Sequence, residues 1–150
     1  MNHDLIYCPE DFIRDMEHIM VKRGETVVKA STYPDYIYVV LKGVANVICM
    51  SSKGRTVIAS QFLEGDFIGE MSAICGQSYI FDAVALSDLE LLKIPAKTFI
   101  DRMKEDFRLV QSMVQSQNNR INYLEAFTII NSTFSLYEKI LLFLCCFLVR

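Results

Sequence analysis

Histidine is nearly absent from this chain: His3 and His18 are the only two in 150 residues. With none after His18, a jelly-roll metal site of the cupin kind, which needs several histidines within its strands, has no ligands to draw on. Neither histidine has an obvious serine, cysteine or acidic catalytic partner in its sequence context. The Asp and Glu residues are dispersed, and no glycine-rich loop precedes a Lys-Ser or Lys-Thr pair. A catalytic triad, a general acid–base pair and a phosphate loop are therefore all unsupported. No catalytic residue is assigned and the chain reads as a non-enzyme.

Other patterns are missing as well. The five cysteines, Cys8, Cys49, Cys75, Cys145 and Cys146, form no CxxC and are odd in number, which argues against a disulfide framework and against a structural metal. They read as buried or incidental thiols of a reducing compartment. Cationic clustering is absent: 15 Lys and Arg stand against 18 Asp and Glu, for a net charge of −3. The chain alone is then expected to bind DNA poorly. Residues Met1 to Glu10 carry no signal-peptide pattern, and the longest apolar run, Ile140 to Val149, is too short to span a bilayer. A cytoplasmic protein without a membrane partner is expected.

What is abundant is apolar side chain, 52% of the residues. The length suits one domain with an appended helix, and the surplus of apolar surface predicts oligomerisation. Pro9 to Met20 reads as a short amphipathic helix, with Pro9 in the first turn and Phe12, Ile13, Met16, His18, Ile19 and Met20 at helical spacing. From Glu25 the period falls to two. Strands are predicted at Thr26 to Ala30, Tyr36 to Lys42, Ala45 to Met50, Thr56 to Phe62, Phe67-Ile68, Ala83 to Leu86 and Leu89 to Ile94, separated by turns such as Tyr33-Pro34-Asp35 and Gly65-Asp66. Seven or eight short strands predict a β-roll, and the strand Tyr36 to Leu41, apolar on both faces, predicts helices packed on its outside.

After Pro95 helices return. Thr98 with Asp101 resembles a weak capping box for a first helix through Phe99, Ile100 and Met103 that ends near Glu105-Asp106. Phe107, Val110, Val114, Gln117, Ile121, Leu124 and Thr128 then follow three- and four-residue steps, the seam of a two-helix dimer interface; packing of this stripe on its own barrel is the alternative. Ser135 and Glu138 form a capping-box pair that opens a last helix, apolar on nearly every face through Val149. Such a helix must be buried, so the chain reads as part of a longer protein, unless the helix buries itself in a dimer.

The most specific stretch is Gly65-Asp66-Phe67-Ile68-Gly69-Glu70-Met71-Ser72-Ala73-Ile74, preceded by Tyr36 to Ala45 with Lys42-Gly43 at the strand end. In this order and followed by a long helix, these motifs resemble the Crp/Fnr and cyclic-nucleotide-binding family. The resemblance covers essentially the whole chain. It implies a mainly β fold with flanking helices, a double-stranded β-helix (jelly-roll) of the cyclic-nucleotide-binding type plus a long C-terminal dimerisation helix. Residues 1–105 would form the sensor roll, 106–131 the dimerisation helix and 132–150 the start of a helix-turn-helix domain. Some relatives hold an iron–sulfur cluster through several N-terminal cysteines, an arrangement that Cys8 alone does not reproduce.

In the pocket that this resemblance implies, Gly69 lets the backbone approach a ligand, Glu70 can accept from a ribose hydroxyl, and the amides of Met71 and Ser72 at a helix start can hold a phosphate. Asn122 falls near where the family's long helix contacts the base. The family's phosphate-neutralising arginine, nine or ten residues after the glutamate, is replaced here by Tyr79 and Ile80, with uncharged neighbours including Phe81. The lost charge-assisted bond is worth about 1.5–3 kcal/mol, roughly ten- to a hundredfold in affinity. Ordinary cyclic AMP binding is therefore not expected. Tyr79, Ile80 and Phe81 either fill the phosphate cavity or shape a pocket for a less polar small-molecule effector, filling being favoured; a purely structural role for Glu70 carries equal weight.

The expected function is the effector-sensing and dimerisation part of a Crp/Fnr-type transcription regulator, a homodimer that meets DNA only through a C-terminal domain. A ligand-free scaffold for protein interaction is the alternative.

Overall fold

A computed structural model describes residues 16–51 and 54–141. The described part contains eight strands: β1 (Glu17–Val21), β2 (Thr26–Val28), β3 (Tyr36–Lys42), β4 (Ala45–Met50), β5 (Thr56–Phe62), β6 (Phe67–Ile68), β7 (Asp82–Ala85) and β8 (Leu89–Pro95). With them go the helices α1 (Glu70–Cys75), α2 (Ala96–Glu105) and the 27-residue α3 (Phe107–Thr133), and a further helix begins at residue 136. Two four-stranded antiparallel sheets, ordered β1-β8-β3-β6 and β2-β7-β4-β5, make the jelly-roll with flanking helices that the patterning predicts.

β3 shows why the roll needs outer helices. Val40 faces a core shared by both sheets, with Val47, Phe62, Ala85 and Leu91. Its neighbours Ile37 and Val39 point the other way, into a second core made with Phe67, Ile94, Phe99, Leu109 and Met113. Period-two alternation sends side chains to opposite faces, so a strand apolar at both must be covered twice. The turn after β3 depends on Gly43, whose φ is +95° and where a Cβ would lie 2.8 Å from Ser87 Oγ and 2.9 Å from Leu89 Cδ2. No other residue fits both the left-handed backbone and that approach.

The N-terminal expectation needs correction. Residues 9–15 of the predicted helix lie outside the described residues, but its last part, Glu17 to Met20, belongs to strand β1, paired antiparallel with β8 in the register Ile19↔Leu91. The physical reason is non-local: β8 offers an open edge, and Glu17 meets Lys93 across it at 2.8 Å. The capping box at Thr98 is also absent. α2 starts two residues earlier, after Pro95, without a side-chain cap, and Asp101 binds Lys104 at 2.7 Å instead.

The chain divides into two compact units, Met1–Ser116 and Gln117–Arg150. In the first, α3 contributes Leu109, Met113 and Ser116, which are buried at helical spacing, while Phe107 and Val114 on other faces are exposed. In the second, the helix that begins at residue 136 is opened by the reciprocal cap the sequence predicts: Ser135 N donates to Glu138 Oε2 at 2.8 Å and Glu138 N to Ser135 Oγ at 3.4 Å. The rest of the predicted apolar helix, from residue 142, lies outside the described residues. Cys49 and Cys75 are free thiols.

Candidate functional site

The Gly65–Ile74 stretch folds back on itself through Asp66. Gly65 takes a positive φ of 88°, and Asp66 Oδ2 accepts the amide of Leu63 at 2.8 Å, closing the turn into β6. Its other oxygen, Oδ1, accepts the Ser116 hydroxyl of α3 at 2.7 Å. β6 is only two residues long, after which Gly69, again left-handed at φ +95°, turns the chain into α1. Glu70 opens α1 and is 2% exposed.

Tyr79 closes this site. A Cβ on Gly69 would lie 2.8 Å from the Tyr79 hydroxyl oxygen and 3.0 Å from its ring, so the tyrosine stands where any larger residue would put its side chain. Its hydroxyl donates to the Tyr36 carbonyl at 3.1 Å, and its backbone is held by Ser31 and Thr32, whose N–H and C=O pair with its own C=O and N–H at 2.8 and 2.9 Å. Burial pushes the Tyr79 hydroxyl far above the usual tyrosine range, and the charges of Asp35 and Glu70 add to that. Tyr38, half-buried beside it, is raised for the same first reason, with Lys93 pulling the other way. Lys93 itself sits 4.3 Å over the Tyr36 ring.

Of the residues named from sequence, Gly69, Glu70 and Tyr79 therefore come together. Met71 is exposed on α1. Ser72 lines a different cleft, beside the Tyr33-Pro34 turn. Ile80 corrects the expectation of a filled cavity: it is 72% exposed, and Phe81 is exposed too, so Tyr79 is the one of the three that is buried. The reason is its backbone pairing with Ser31 and Thr32, which turns Tyr79 inward and leaves its chain neighbour Ile80 outward. Asn122 lies in the second unit and is exposed. Asp66 was legible only as a turn residue; its bond to Ser116, 50 positions away, leaves no mark on local sequence. Among the described residues no group of three or more His, Cys, Asp or Glu could hold a metal ion, and no helix is long and apolar enough to cross a membrane.

Comparison with known proteins agrees with this architecture. A lysophospholipase, NTE1, of Phaeosphaeria nodorum is 26% identical over 84 residues, which is 56% of this chain and 6% of that protein. A CRP/FNR-family transcriptional regulator from Thermus thermophilus superposes with a TM-score of 0.67 at 21% identity, over 80% of this chain and 59% of that one. The regulatory subunit of a cAMP-independent protein kinase A from Trypanosoma brucei, as a triple mutant bound to cAMP, superposes with a TM-score of 0.63 at 15% identity, over 78% of this chain and 41% of that one. The chain thus spans less than two thirds of each, and at these identities the structural likeness is one of fold. The cyclic nucleotide-binding domain profile matches residues 18–106, more than half of the sequence, and the chain belongs to the cyclic nucleotide-binding domain family.

Proposed function

We propose that this chain is the sensing and dimerisation part of a Crp/Fnr-type transcription regulator, cytoplasmic and homodimeric, in which the family pocket no longer takes a cyclic nucleotide in the ordinary way. One observation carries the second half of the statement: the Tyr79 ring lies against Gly69, with its hydroxyl engaged by the Tyr36 carbonyl. No arginine occurs between Arg55 and Arg102, so the stretch that should neutralise a cyclic phosphate supplies an aromatic ring and no guanidinium. The Trypanosoma regulatory subunit offers a parallel: it is described as cAMP-independent, and a variant of it with an introduced arginine is bound to cAMP.

The regulatory half rests on the fold and on α3, which presents Phe107, Val114, Ile121 and Leu124 as exposed apolar residues suited to a helix pair. An effector acts on such a protein by binding two dimer geometries unequally. The Asp and Glu excess supports DNA contact through a part of the regulator other than this roll. The filled site at Gly69 favours a second reading as well, a ligand-free scaffold for protein interaction. Thermal shift with cyclic AMP, cyclic GMP and a panel of small metabolites separates the two, since a ligand specific for the folded state raises stability by mass action. A sensor is stabilised by a metabolite and by neither cyclic nucleotide at micromolar concentration; a flat response to every compound selects the scaffold, and strong stabilisation by cyclic AMP rejects the plugged pocket.

A further inference from the structure

A second concavity, separate from the Gly69–Tyr79 site, lies between α1, the Tyr33-Pro34 turn and the first turns of α2. Its volume is about 330 Å³, at the small end of the roughly 300–1,000 Å³ that ligand pockets occupy. Tyr33, Pro34, Ala73 and Ile100 give it apolar walls, the Tyr33 ring among them flat, and Lys97 and Asp101 supply its charge. The two charges are not equivalent. Asp101 is engaged by Lys104 at 2.7 Å, which also holds its carboxyl below the usual carboxylate range. Lys97 is exposed, and its ammonium forms no hydrogen bond or ion pair among the described residues; it acts on Asp101, one turn on, only as a nearby charge.

From this asymmetry we infer that the cleft is a binding site for a small organic anion, a carboxylate carried on a flat apolar body, with the Lys97 ammonium receiving the carboxylate and the Tyr33 and Pro34 rings covering the body. The inference goes beyond the function proposed above and holds whether or not the roll belongs to a transcription regulator. Occupancy has a route to the rest of the molecule. The face of α2 turned away from the cleft carries Phe99, whose ring centroid is 5.7 Å from that of Phe67, in the core that also holds Leu109 and Met113 of α3. A ligand bracing α1 against α2 therefore stiffens the element on which the first turns of α3 rest.

Backbone amide NMR of the full chain, titrated with phenylacetate and with neutral phenylacetamide, tests the site. Phenylacetate is expected to give saturable shifts that are largest at Tyr33, Asp35, residues 70–76 and residues 96–101, and phenylacetamide to bind about fivefold more weakly, the scale of one exposed ion pair. Lys97→Gln should remove that preference and Tyr33→Ala should weaken both compounds; both changes are at exposed positions, and the spectra themselves report that the fold is kept. Absence of saturable shifts, shifts centred on Gly69 and Tyr79, equal affinity for acid and amide, or an unchanged preference in Lys97→Gln would each overturn the proposal.

Discussion

The Ser116 hydroxyl donates to Asp66 Oδ1 at 2.7 Å with both residues buried, so a helix and the turn into β6 are joined by one side-chain pair far apart in sequence. Asp66 serves two partners at once, because its second oxygen accepts the Leu63 amide. Ser116→Ala leaves a buried carboxylate oxygen short of a donor, at a cost of about 1–3 kcal/mol. Asp66→Ala loses the turn closure as well and should cost more. Urea unfolding of the two single variants and the double variant is the check: coupling close to zero would mean that the pair is incidental.

The two faces of α3 predict opposite phenotypes. Met113 is buried in the outer core, and Met113→Ala should destabilise the roll by about 2–4 kcal/mol. Val114, one residue on, is 55% exposed and Ile121 is 52% exposed. Val114→Asp combined with Ile121→Asp should leave the melting curve of dilute protein nearly unchanged while shifting elution on a sizing column from dimer to monomer. An unchanged elution volume rejects the seam.

Local chemistry explains which parts of this fold could be read in advance. β3, β4, β5 and β6 have the bounds predicted from sequence, because Pro34-Asp35, Gly43, Gly54 and Gly65-Asp66 punctuate them and the glycines take the left-handed backbone that such turns need. β1 could not be read that way. Ile19 and Val21 face inward and His18 and Met20 outward, but five residues of alternation are outweighed by a longer run at helical spacing, and the deciding partner, β8, is more than sixty positions away. The helix stripe shows the same limit on a finer scale. Sequence spacing selects Val110, Val114 and Gln117, whereas the residues buried against the roll are Leu109, Met113 and Ser116, one position earlier in each turn. Two apolar stripes share this helix, and only tertiary contact tells which one the roll takes. At the pocket, Gly69 and Glu70 were legible as a motif, while the inward turn of Tyr79 depends on backbone pairing with Ser31 and Thr32.

Gly69→Ala should be costly for two separable reasons. The backbone penalty of a non-glycine residue at φ +95° is on the order of 1–3 kcal/mol, and the new Cβ would also press on the Tyr79 ring. In a Tyr79→Ala background the contact is gone but the backbone penalty stays. The loss on Gly69→Ala should therefore be smaller there by a measurable fraction; equal losses in both backgrounds would show that the ring is not what the Cβ meets.

Tyr79 also sets an alkaline limit. Its folded-state pKa is raised above the unfolded value, mainly by burial. The corresponding stability is fully present below the unfolded tyrosine pKa, near 10, and is lost as pH rises above it, because the unfolded chain then releases a proton that the folded one keeps. Tyr79→Phe removes this proton. It gives up one hydrogen bond of about 1 kcal/mol at neutral pH, yet its stability should fall less steeply above pH 10 than that of the parent. Denaturant melts across pH 8 to 11, with phenolate absorbance followed in parallel, test the crossover; parallel pH profiles would mean that Tyr79 ionises freely in the folded protein.

The sharpest test of the altered pocket is Tyr79→Arg. The substitution removes the ring that stands on Gly69 and places a guanidinium on a backbone already fixed by Ser31 and Thr32. If the site is a family pocket lacking only its cation, the variant should acquire cyclic nucleotide binding that the parent lacks, with a gain of about ten- to a hundredfold, the worth of one charge-assisted hydrogen bond. Tyr79→Ala is the necessary companion, since it opens the same space without adding charge. Binding by the arginine variant alone assigns the defect to the missing charge, and binding by both assigns it to the ring. Failure of both in calorimetry, with melting curves showing folded protein, would mean that Glu70 and the start of α1 do not form a nucleotide site even when unobstructed, and the scaffold reading would stand.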